Sequence, residues 1–74
     1  MNKARRKRIS EISENLQDVI LDLEGVLNEE QEAFDNLPEG LQESERGMDM
    51  EDNVSTLEGV IDALNEQVEE LENI

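Results

Sequence analysis

Apolar residues recur along the chain at alternating intervals of three and four. In the first half, Ile9, Ile12, Leu16, Val19, Leu23 and Val26 are separated by 3, 4, 3, 4 and 3 residues. The series continues through Glu30 and Ala33 to Leu37. This is the period of an amphipathic helix in a bundle or coiled coil. With Ile9 at heptad position a, Ile12, Val19, Val26 and Ala33 fall at d, and Ile20, Leu27 and Phe34 at e. That face is broader than the seam of a two-stranded coil. Leu21 falls outside it. The second half repeats the pattern: Met50, Val54, Leu57, Ile61, Leu64, Val68 and Leu71 are separated by 4, 3, 4, 3, 4 and 3 residues. Val54, Ile61 and Val68 occupy a, Leu57, Leu64 and Leu71 occupy d, and Val60 and Ile74 widen the stripe at g.

Between the two series stands Asn36-Leu37-Pro38-Glu39-Gly40. Proline disfavours helical geometry in the residue before it and removes a backbone donor. The expected organisation is therefore all-α: a single domain over 1–74, with a helix over about 3–36, a turn over about 37–44 and a helix over about 45–73. Ser44 is the expected N-cap of the second helix, with Asp49 as a competitor. The short connection predicts antiparallel neighbours, a two-helix hairpin. Gly47, one heptad before Val54, either faces the core and admits a backbone or the Phe34 ring, or belongs to the turn. Gly25 and Gly59 fall inside the helices without an evident packing reason.

Two helices shield only a narrow seam, and these stripes are wider. A chain of this size rarely builds a sufficient core alone. Self-association into a helical bundle, most simply a dimer, is the economical solution. The residues expected to carry it are Leu16, Val19, Ile20, Leu23, Leu27 and Phe34 on the first helix, and Val54, Leu57, Ile61, Leu64, Val68 and Leu71 on the second.

Charge narrows the function classes. The 74 residues hold 21 Asp+Glu against 6 Lys+Arg, a net charge of −15. Lys3, Arg5, Arg6, Lys7 and Arg8 supply five of the bases and Arg46 the sixth. Everything after the basic start is an acidic body, which repels DNA, RNA and anionic membrane. An antiparallel pair would set the 3–8 segment beside Glu66, Glu69, Glu70 and Glu72, so that each end offsets the other. No apolar run approaches the ~18 residues needed to span a bilayer. No apolar segment follows the basic start, so no signal peptide is expected.

Chemical motifs are sparse. There is no Cys, His, Trp or Tyr, which excludes a disulfide framework, thiolate or imidazole metal sites and Cys or His nucleophile systems. An EF-hand beginning at Asp49 fails, because Val54 stands where Gly is needed and Val60 where the bidentate Glu belongs. No enzymatic activity and no cofactor are expected. Two sets of contact residues remain. Arg46, Ser44, Gln42 and Pro38 lie in the 36–47 segment, where Arg46 either clamps Glu39, Glu43 or Asp49 or grips an external carboxylate or phosphate. Glu24, Glu32, Asp62 and Glu66 face outward along the helices, with Asp18 and Glu69 beside them.

The stretch EEQEAFDNLPEGLQESERGMDMEDNVSTLEGVIDALNEQVEEL, preceded by MNKARRKRI, resembles a group of short acidic proteins of phages and prophages of Gram-positive bacteria. They share a basic start, the pattern EEQEAFDNLPE-LQ-SERG and an acidic helix. The likeness covers nearly the whole chain and is specific at residues 29–47. It implies a phage context and brings no catalytic residues. By analogy with other small phage proteins, the expected function is inhibition of a host defence or nucleic-acid-handling protein in the host cytoplasm. The acidic faces would occupy a basic surface in an anti-CRISPR-like or DNA-mimic mode. The alternatives are an oligomeric sponge for a nucleotide immune signal, and a structural or assembly protein.

Overall fold

A computed structural model describes all of residues 1–74. Its elements are α1 (Lys3–Asp35), the short α2 (Glu39–Gln42) and α3 (Glu45–Glu72), with no strand. The molecule is a rod of 58 × 14 × 12 Å. The expected limits of the long helices hold to within a residue, and the turn between them contains one helical turn of its own.

Capping accounts for the helix starts. The Asn2 carboxamide accepts from the Arg5 N–H at 2.9 Å, satisfying one of the four unpaired donors that open a helix. Ser44, not Asp49, caps α3: its hydroxyl oxygen accepts from the Gly47 N–H at 3.4 Å and donates to the Leu41 carbonyl. Pro38 precedes α2 with extended geometry.

α1 and α3 pack side by side along their length. They run in opposite directions, since Gln17 Nε2 donates to Glu72 Oε1 at 3.1 Å while Asn53 Nδ2 donates to Glu30 Oε2 at 2.9 Å. α3 turns its two expected columns into the seam: Val54, Ile61 and Val68 are buried, and Leu57, Leu64 and Leu71 half-buried. Ile20, Ile61 and Val68 form the centre, with Leu16, Leu23, Leu27 and Leu64 packed around them.

The seam of α1 differs from the expected one. It is built from the Ile9, Leu16, Leu23 column and the Ser13, Ile20, Leu27, Phe34 column. The Ile12, Val19, Val26, Ala33 column, expected on the core face, stands outside it, with Ile12, Val19 and Val26 at 50, 47 and 50% exposure. One helix can cover only two columns of its neighbour, and the column next to Leu16 and Leu23 is left over. Val60, expected to widen the stripe of α3, is likewise exposed.

Two polar residues interrupt this seam. Glu30 is half-buried and held by Asn53. Ser13 is 3% exposed and its hydroxyl has no hydrogen-bond partner. An unpaired buried hydroxyl costs about 1–3 kcal/mol. Ser13→Ala is therefore expected to stabilise the protein by about 1 kcal/mol, also through helix propensity. Thermal unfolding of the variant checks this; an unchanged or lower midpoint would show that the hydroxyl is paired in solution.

Candidate functional site

The segment between the long helices is built by its own side chains. The Gln42 carboxamide donates to the carbonyls of Phe34 and Leu37, both at 3.3 Å. The Phe34 carbonyl, in the last turn of α1, also accepts from the Leu37 N–H at 3.0 Å, and the Leu37 carbonyl lies just beyond the helix. Backbone N–H groups of Leu41 and Gln42 both reach the Pro38 carbonyl, at 2.8 and 3.2 Å, closing the small helix. Gly47 is buried in the first turn of α3. A Cβ there would meet the Gln42 and Leu41 carbonyls at less than van der Waals separation. Of the two readings of Gly47, close approach and turn, both apply. The backbone that approaches is that of residues 41–42, rather than the Phe34 ring, which shares a groove with Gln31, Glu51 and Val54.

This geometry divides the tip residues expected to contact a partner. Gln42 and Ser44 are half-buried and occupied internally. Pro38 and Arg46 are exposed. The tip's side-chain hydrogen bonds run through Gln42 and Ser44, none through Arg46. Arg46 stands exposed on the first turn of α3.

The acidic candidates lie on the long helices. Glu32, Asp62 and Glu66 are exposed, as are Asp18 and Glu69; Glu24 is half-buried. Glu24 lines one long edge of the seam with Gln17, Leu21 and Asn65. No pair of these carboxylates meets in an enclosed cleft. No group of three or more acidic side chains is arranged to hold a metal ion, and no helix is long and apolar enough to cross a membrane.

At the open end of the rod, α3 reaches back only to the second turn of α1. Leu71, Glu72 and Ile74 share a groove there with Arg6, Ile9, Ser13 and Gln17. The expected pairing of the 3–8 segment with Glu66, Glu69, Glu70 and Glu72 does not form. Gln17 meets Glu72, and Asn65 lies beside Gln17 and Glu24. Glu66, Glu69 and Glu70 therefore sit further along α1, and of the four only Glu72 shares a groove with a base, Arg6.

The sequence reading missed the internal role of Gln42, the Asn2 cap and the Glu30–Asn53 pair. Only the Asn2 cap had a local signal, an Asn immediately before the basic helical run. No family model, curated protein or solved structure matches the chain.

Proposed function

We propose that the chain is a two-helix hairpin acting as a non-catalytic inhibitor. Its partner is a host defence or nucleic-acid-handling protein with a basic surface, met in the host cytoplasm. The supporting observation is the disposition of carboxylates: Glu32, Asp62 and Glu66 stand exposed on the long helices of a rod 58 Å long. Duplex DNA carries a charge about every 1.7 Å of its axis. A stiff rod dense in carboxylates presents comparable long-range attraction to a groove shaped for a phosphate backbone. In this reading Arg46 and the exposed tip orient the complex, while Gln42 and Ser44 keep the tip in shape.

The test is displacement of a labelled DNA duplex from a host nuclease that binds the wild-type chain. Reversing Glu32, Asp62 and Glu66 to Lys is expected to weaken displacement by about tenfold or more. Raising the salt concentration on the wild-type protein should act in the same direction. Arg46→Ala should retain most of the activity. If the reversals leave displacement intact and Arg46→Ala abolishes it with helicity preserved, the acidic-rod mechanism is wrong. A tip-centred site for an anionic ligand, such as a nucleotide, then replaces it.

A further inference from the structure

The two long sides of the rod differ in chemistry. One edge of the seam is lined by Val26, Glu29 and Glu30 of α1 with Asn53, Thr56 and Leu57 of α3. Heptad spacing extends this side along α1 to Ile12, Val19 and Ala33, and along α3 to Val60 and Ala63. Ile12, Val19, Val26 and Val60 are each between 43 and 50% exposed. With Glu30, which lines the same groove, the acids of this side are Asp22, Glu29, Glu30, Asp49 and Glu70, five of the chain's 21, and its bases are Arg5, Arg8 and Arg46, three of the six. It is close to neutral. The opposite side, which includes Gln17, Glu24 and Asn65, carries Glu51, Glu58, Asp62 and Glu69 by the same spacing, while Asp18, Glu32 and Glu66 point away from the seam on the backs of the helices.

We propose that the neutral side is the interface for a second copy of this chain, in antiparallel alignment. Charge decides the occupant. Two bodies of net charge −15 repel through any other face, but here their acidic sides point away from each other. Charge also decides the alignment. A parallel pair stacks Arg5 and Arg8 on their own copies. An antiparallel pair sends them toward the partner's tip end, where the 39–49 segment holds Glu39, Glu43, Glu45 and Asp49 against the single base Arg46. The area suffices: a face 58 Å by 14 Å offers about 800 Å² per copy, the usual size of a stable interface. The demand is present too, since this rod has no side chain buried beyond 98%, and small scaffolds commonly complete their cores by oligomerising. The proposal stands apart from the inhibitory role: it concerns the side that carries few of the acids proposed to meet a host protein.

Sedimentation equilibrium at tens of micromolar and moderate salt tests it. The wild-type chain is expected at twice its 8.4 kDa monomer mass. Val19→Glu combined with Val26→Glu should sediment as a helical monomer, because both positions are half exposed within one copy. Leu21→Glu, at a residue 63% exposed on the other side, should leave the dimer intact. A wild-type monomer, or a dimer broken by Leu21→Glu and not by the Val19 and Val26 changes, would overturn the interface. Circular dichroism separates dissociation from unfolding; a double variant that loses its helicity is replaced by Thr56→Glu, read in the same way. For the alignment, Ile12→Cys introduces a thiol into a chain without one. Copies that join through Ile12→Cys on oxidation are parallel and refute it; the antiparallel pair holds the two thiols at opposite ends and is expected to stay unlinked.

Discussion

Ile61→Asp is expected to abolish the helical fold. Ile61 is 7% exposed and sits with Ile20 and Val68 at the centre of the seam. The substitution removes a branched side chain whose burial contributes roughly 1.5–3 kcal/mol. It also places a carboxylate among aliphatic groups, where an unpaired charge costs several kcal/mol more. Against that stands a core of four buried apolar residues, of the kind that yields about 3–5 kcal/mol in a small domain. The loss exceeds the reserve. Met48→Asp, at a position 57% exposed, provides the control and should keep the wild-type spectrum. Circular dichroism at neutral pH and moderate salt reads both. A helical Ile61→Asp variant with an unshifted melting midpoint would mean that the seam between α1 and α3 is not the source of stability.

The second large effect concerns glycine, and its sign depends on position. At Gly47 an added methyl runs into the carbonyls of Gln42 and Leu41. These are backbone atoms fixed by α2 and by the hydrogen bonds of Ser44 and Gln42, so they cannot give way cheaply. Gly47→Ala is expected to cost about 1–3 kcal/mol, which for a domain of this size lowers the melting midpoint by roughly 5–20 °C. Gly25 and Gly59 have open space around the added methyl. There Ala should gain about 1 kcal/mol of helix propensity, raising the midpoint by several degrees. Scanning calorimetry on the three variants checks the contrast. A Gly47→Ala midpoint equal to the wild type would show that the tip opens without loss of the helix pair.

The helices were legible in the sequence because their heptads run on through the single polar break at Glu30 and the cap of α3 is local. Ser44 shows why a cap can be read: its partner is the N–H three residues on. The face of α1 was less legible. Three apolar columns compete there, and the one containing Ile12, Val19 and Val26 looks more hydrophobic than the one containing Ser13. Which two columns enter the seam depends on α3, and no periodicity within α1 encodes it. Gln42 was illegible as a structural residue for a related reason: its carboxamide bridges carbonyls five and eight residues earlier, a juxtaposition created only once Pro38 has turned the chain. Of the candidate contact residues, Glu32, Asp62 and Glu66 could be placed from spacing alone, whereas Glu24 proved half-buried beside the seam and the tip residues divided into exposed and occupied only in three dimensions.

The tip also orders the events of folding. Its contacts join residues a few positions apart, so closing it requires little loss of chain entropy, whereas the Gln17–Glu72 contact at the open end spans 55 residues and is reached only after everything between has aligned. The chain is thus built to close like a zipper, from the Pro38 turn toward the basic end. Glu30 and Asn53 lie a few turns along that path. A half-buried carboxylate acts there as a checkpoint: a helix pair slipped by one heptad so that Val60 replaces Asn53 would leave Glu30 beside an apolar neighbour, without its amide, before the Ile20–Ile61 centre could form.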